Sequence, residues 1–157
     1  MMENFMIFTI ESQLYGINLK YIREIVTYTH FTKMPDSKQW VVGLIETRGY
    51  PMPIIDLRIR LKTQMSPTYN DKTVIVATKL EGGKLLGLVV DTVEDIQSFD
   101  DSEVLSSNDI DTRMQSSLLK GYIQKESYSI LILNHEEFGV LNEIDHIINN
   151  DKVTINE

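Results

Sequence analysis

Residues 42–60, VGLIETRGYPMPIIDLRIR, restrict the fold of this chain more than any other stretch. Two apolar runs flank the step Arg48-Gly49, the pattern of a tight hairpin with strands near Val41–Thr47 and Tyr50–Leu57. The outgoing run opens Pro51-Met52-Pro53. Residues two apart in a strand send their N–H groups the same way, so these prolines delete two donors from one edge. That predicts an edge strand or a bulge, blocked against indiscriminate pairing. Arg48 at the tip carries five donors in a planar fork. Composition alone favours a solvated turn arginine. The functional alternative is an anchor for a partner or for a local carboxylate, with Glu24 and Glu46 as candidates.

Strand signals recur along the chain. Phe5 to Ile10 and Leu14 to Leu19 read as a hairpin turning at Ser12-Gln13. Ile22, Ile25 and Val26 stand at helical offsets, which predicts one or two turns of helix over Lys20 to Val26. A short strand over Val26 to Phe31 is expected next, closed by a turn at Met34-Pro35-Asp36. Lys62 to Lys72 is polar and reads as a loop between two halves. Thr73 to Thr78 and Leu85 to Val90 form a second hairpin through Glu81-Gly82-Gly83-Lys84. LLGLVV has no polar alternation, so both of its faces should be buried.

The remainder is more acidic. Asp91 to Ile96 leads into a polar stretch from Ser98 to Ser117, expected as an exposed excursion with at most one helical turn. Leu118 to Ile123 is expected to turn at Gly121, and Tyr128 to Leu133 to form the last strand. Asn134 can cap a helix running toward Ile148, weakened by Gly139, with the end of the chain frayed. Eight to ten short hairpin-linked strands with little helix form the all-β pattern of barrels or sandwiches, and two small barrels would fit it. The expected organisation is a single domain over residues 1–157 with two barrel subdomains, residues 150–157 forming a frayed tail.

Chemical signatures are sparse. There is no cysteine, which excludes disulfides and thiolate chemistry and favours a reducing compartment. The apolar N-terminal run is too short for a signal peptide or a membrane span, so a cytosolic protein is expected. A net charge of −8 argues against non-specific nucleic-acid binding. Residues 1–62 carry 8 Lys+Arg against 6 Asp+Glu, and residues 63–157 carry 7 against 17. Such asymmetry can steer partners, and it also serves plain solubility. His30, His135 and His146 lie far apart and fit no metal spacing, and His135 is expected as an exposed polar residue. The acidic residues from Asp91 to Asp111 lack the ligand order of a calcium loop. No nucleophile elbow, phosphate loop or dinucleotide fingerprint is present. Catalytic residues, metal ligands and cofactors are therefore expected to be none.

Four stretches, in order, resemble the CheW-type chemotaxis coupling proteins. They are Tyr15-Gly16-Ile17 with Ile22-Arg23-Glu24-Ile25; Pro35, Val42 to Ile45, Arg48-Gly49 and Pro53 to Arg58; Gly87 to Ile96; and Gly121-Tyr122-Ile123 with Tyr128 to Leu133. The resemblance implies two intertwined five-stranded SH3-like β-barrels around a hydrophobic seam, with short helices. It implies a non-catalytic cytoplasmic adaptor linking chemoreceptor cytoplasmic tips to the regulatory domain of a CheA-type histidine kinase. Carried over by motif, Glu24 and Arg48 face the receptor, Gly49 shapes the turn, and Ile22 is an apolar neighbour. A Glu24–Arg48 ion pair is expected. Glu46-Thr47 replaces the family's usual Asn-Leu before Arg-Gly, and Lys125-Glu126-Ser127 replaces the usual Asp-Arg before the last strand. Two alternatives remain: a CheW-like module of an accessory array, and an unrelated small β-barrel that binds a ligand.

Overall fold

A computed structural model describes residues 1–27, 30–34, 38–106 and 116–138. The chain forms β1 (Met2–Ile10), β2 (Gln13–Asn18), β3 (Ile22–Thr27), β4 (Val41–Thr47), β5 (Tyr50–Asp56) and the short helix α1 (Leu57–Arg60). It continues as β6 (Val74–Lys79), β7 (Leu85–Val90), β8 (Thr92–Asp100), β9 (Leu105–Ser106), β10 (Leu119–Gln124), β11 (Ser129–Leu133) and α2 (His135–Phe138). Two sheets result. The first has the order β8-β1-β2-β11-β10-β9, the second β3-β6-β7-β5-β4.

The two sheets are nested in sequence. The chain starts the first sheet with β1 and β2, builds the whole second sheet, then returns through β8 to finish the first. The polar loop of residues 62–72 therefore joins α1 to β6 within the second sheet and does not separate two halves. The crossovers fall instead at Leu19–Tyr21, a single 3-10 turn, and at Asp91.

Three apolar clusters explain why so many strands lack alternation. Phe5, Ile7, Phe99, Ile123, Ile130 and Ile132 pack inside the first sheet. Ile45, Met52, Ile54, Ile75, Ala77, Leu85 and Val89 pack inside the second. A third cluster draws on both, with Phe8, Ile10 and Tyr15 meeting Ile55, Leu86 and Leu88 along a shared seam. β1, β5 and β7 thus bury successive residues in two different cores. All six residues of β7 are buried, as its continuous apolar run predicts.

Several local expectations change. Lys20 to Val26 is a 3-10 turn followed by β3, because β-branched Ile22, Ile25, Val26 and Thr27 gain more from pairing with β6 than from a short helix. Thr92 to Asp100 is one long strand antiparallel to β1, so the polar excursion begins only after it. A single 3-10 turn, Asp101–Glu103, follows. Gly121 lies within β10 and makes no turn. A side chain there would collide with the Leu105 carbonyl, so glycine is what lets β9 lie against β10. That small strand gives the first sheet six strands where five were expected. The turn at Pro35-Asp36, the helix beyond Phe138 and the tail at 150–157 lie outside the described residues.

The prolines behave as a local edge inside an interior strand. β5 lies between β4 and β7, but β7 joins it only from Ile54 to Asp56. Pro51 and Pro53 sit where β4 is the sole neighbour, opposite Glu46 and Leu44.

Candidate partner-binding site

β4 and β5 pair from Val41–Ile55 to Thr47–Tyr50 and leave Arg48-Gly49 as a two-residue loop. Both residues have positive φ, 52° and 82°. This matches the type I′ geometry, whose twist suits an antiparallel pair. Glycine enters that region freely. For a residue with a Cβ it costs about 1–2 kcal/mol, and asparagine tolerates it best. Arginine is a costly occupant of this turn unless its side chain is used.

The side chain reaches across the barrel opening. Arg48 Nη2 donates to Glu24 Oε2 at 3.4 Å. Glu24 stands on β3 and Arg48 follows β4, the two outer strands of the second sheet. The sheet therefore curls until its edges meet. Thr32 and Leu44 close the same gap with two reciprocal backbone hydrogen bonds of 2.9 Å. Gly43 permits that approach, since a Cβ there would stand 2.6 Å from the Thr32 carbonyl oxygen. The Arg48 side chain is 65% exposed and that of Glu24 31%, so the pair stabilises the fold by only about 0–1 kcal/mol.

Of the two candidate carboxylates, Glu24 and not Glu46 meets Arg48. Gly49 occupies the turn beside it. Ile22, two positions before Glu24 across a register shift, is half-buried against the shared seam. Ile25 is the exposed apolar residue of this strand.

The other arginine of the hairpin segment is structural. Asp56 is fully buried and caps α1 by accepting from the Arg58 N–H at 2.9 Å. Arg58 also donates to both carboxylate oxygens, from Nε at 3.0 Å and from Nη2 at 2.9 Å. The Tyr69 hydroxyl donates to Asp56 Oδ2 at 2.7 Å. Burial, followed by this bond to a carboxylate, pushes the Tyr69 phenol well above its ordinary range. Arg58 Nη1 lies 4.0 Å from Asp91, which accepts the Glu11 N–H of the β1–β2 turn at 2.7 Å. Asp56, Arg58 and Asp91, each within a stretch that carries the family resemblance, thus tie the two sheets together.

His135 departs from its sequence reading. It is fully buried, not exposed, because α2 folds over the end of β6. Its ring packs 4.5 Å from Tyr21, and Nε2 is 3.0 Å from the Lys79 carbonyl. Burial holds its pKa below the ordinary histidine range, so the ring is neutral and Nε2–H donates to that carbonyl. An isolated histidine near acidic residues gives no sequence signal for such packing. Sequence reasoning also passed over Arg23 and Tyr50, which adjoin the motif residues and line a cleft beside the turn. Among the described residues no cluster of His, Asp or Glu is placed to hold a metal ion, and no helix is long and apolar enough to cross a membrane.

Comparison with known proteins agrees with this architecture. The CheW-like domain matches residues 4–140. The chain is 29% identical over 119 residues to the chemotaxis protein CheW of Klebsiella aerogenes, covering 76% of this chain and 70% of that protein. It is 30% identical over 129 residues to a probable chemotaxis protein CheW of Rhizobium etli, covering 82% of each. The crystal structure of the scaffolding protein TtCheW from Thermoanaerobacter tengcongensis superposes with a TM-score of 0.75 at 22% identity over 85% of both chains. The fold is accordingly the all-β, paired SH3-like barrel, and the chain belongs to the CheW-like domain family.

Proposed function

We propose that this protein is a non-catalytic adaptor that couples chemoreceptor cytoplasmic tips to the regulatory domain of a CheA-type histidine kinase. It would act at the cytoplasmic face of the membrane through protein contacts alone, as a single domain of two barrel subdomains. The surface formed by Ile22, Glu24, Arg48 and Gly49 is the part we assign to the receptor.

The observation that carries this reading is the use made of Arg48. It holds a left-handed turn position that disfavours it, and its ion pair is too exposed to stabilise the fold appreciably. A side chain kept under those conditions is suited to contact with something outside the molecule. The fold supports the reading because it holds Glu24 and Arg48 on opposing edges of one barrel, where the pair presets the orientation of the guanidinium.

The test is a pull-down with a receptor cytoplasmic fragment and with the kinase regulatory domain. Wild type is expected to retain both. Arg48→Glu is expected to lose the receptor fragment while its circular dichroism stays unchanged. Failure of the wild type to bind either protein would reject the reading.

A further inference from the structure

We propose that the cleft beside the Arg48-Gly49 turn docks an acidic segment of a partner protein, with Arg23 reading its carboxylates and Tyr50 seating an apolar side chain. The cleft is about 660 Å³ and runs between the β4–β5 and β6–β7 turns. Arg23, Tyr50, Pro51, Gly83, Lys84 and Leu85 contribute to its walls, and among the described residues no carboxylate does.

Two of these side chains are presented outward without a task in the fold. Arg23 is exposed on β3 and makes no ion pair or hydrogen bond among the described residues. Tyr50 is 64% exposed, and its hydroxyl has no partner among them. Arginine and tyrosine are the residue types that most often carry interface energy. Both are set on strand ends, and Pro51 stiffens the backbone beside Tyr50. The positive φ of Gly82 and Gly83 and the open space around them keep the opposite wall low.

Charge selects the occupant. The segment that builds the second sheet, residues 19–90, carries 11 Lys+Arg against 6 Asp+Glu, while the rest of the chain carries 4 against 17. Among the described residues the balance is 11 against 5 for residues 19–90 and 2 against 11 for the rest, so an acidic partner is repelled by the first sheet and attracted to the second. The carboxylate nearest Arg23 in sequence, Glu24, is engaged by Arg48. A partner carboxylate therefore has Arg23 within the cleft, beside Gly49 of the hairpin turn. Electrostatic matching of this kind fixes orientation and speeds association, and it weakens as salt rises.

The proposal rests on the coupling reading only for the identity of the partners, so the experiment has two arms. In the first, affinities for the receptor fragment and the kinase regulatory domain are measured for wild type, Arg23→Glu, Tyr50→Ala and the charge-matched control Lys72→Glu. Arg23→Glu and Tyr50→Ala are each expected to weaken one partner about tenfold or more, a hot-spot-sized effect, with Lys72→Glu near wild type. Equal behaviour of Arg23→Glu and Lys72→Glu overturns the proposal and leaves the adaptor reading standing.

In the second arm, a short soluble Glu/Leu peptide is titrated into labelled protein and followed by amide NMR shifts. Shifts are expected to centre on Gly49, Tyr50, Gly82 and Gly83 and to vanish in Arg23→Glu. Shifts spread over the surface, or none, overturn the proposal even if the wild type binds neither array protein. If the wild type self-associates and Arg23→Glu abolishes it, the acidic occupant is a second copy of this chain, and the assignment to a partner protein fails.

Discussion

Arg48 and Arg58 lie ten residues apart in one segment, and each meets a carboxylate, yet their physical situations are opposite. Arg58 is 13% exposed and grips a fully buried Asp56 through two side-chain bonds of 2.9 and 3.0 Å. Arg48 is mostly solvated and touches Glu24 once at 3.4 Å. In the first pair the carboxylate's remaining acceptor capacity is filled by Tyr69 and the α1 backbone. The second leaves most of its donors open. The sequence pattern marks both arginines alike. Only burial separates the one that holds the fold from the one available to a partner.

The contrast breaks most readily at Asp56. Asp56→Ala strands the Arg58 charge in a nearly buried site and removes the acceptor for Tyr69. Breaking one half of a buried pair costs about 3–5 kcal/mol. A urea melt should lose that much stability. A loss below about 1 kcal/mol, within the range of an exposed pair, would erase the distinction between the two arginines.

Tyr69→Phe probes the same network from outside the motif. It deletes one hydrogen bond to a charged acceptor and keeps the ring that lies beside the Arg58 guanidinium. The expected loss is about 1.5–3 kcal/mol. A loss confined to a few tenths would mean that Asp56 and Arg58 suffice alone.

How much of this was legible in the sequence follows from the same division. The hairpin, its turn and the continuous burial of β7 depend on local residue type and periodicity, and those readings hold. The nesting of the sheets depends on β2 pairing with β11 and β5 with β7, parallel contacts across long separations that no local pattern encodes. The error at Lys20 to Val26 has the same origin. Its offsets fit a helix, but β6 lies alongside and the β-branched residues pair with it. For the candidate site, the Glu24–Arg48 pair was anticipated through the family resemblance. Arg23 and Tyr50 were missed because their meaning comes from the β6–β7 turn, which lies 32 residues beyond Tyr50 at Gly82. His135 was misread because nothing near it in sequence announces Tyr21 or the Lys79 carbonyl.

His135 extends the contrast to pH. Its surroundings are the Tyr21 ring, the Lys79 carbonyl, Glu136 on its own helix and Lys120 from β10. Burial depresses its folded pKa, with Lys120 opposing protonation and the Lys79 bond and Glu136 favouring it. The unfolded chain therefore takes the proton first, at an ordinary value of about 6.5. Stability should fall as pH drops through that value and level off once the folded ring is also protonated. Denaturant midpoints at pH 7.5, 6.5 and 5.5 (conditions chosen around that value) should decline in wild type and decline less in His135→Gln. Parallel slopes would show that His135 does not govern this window.

The smallest stability effect gives the sharpest discrimination. Arg48→Asn removes an ion pair worth about 0–1 kcal/mol and relieves a left-handed strain of about 1–2 kcal/mol. Asn-Gly is also the preferred pair for a type I′ turn. Stability should therefore be unchanged or slightly higher, the reverse of what Asp56→Ala does. If Arg48 serves a partner, the same variant should bind the receptor fragment more weakly. Weaker binding at equal or greater stability separates a side chain used outside the molecule from one used within it. A destabilised Arg48→Asn would instead place Arg48 beside Arg58 as part of the framework, because the I′ backbone is retained and only the guanidinium has gone.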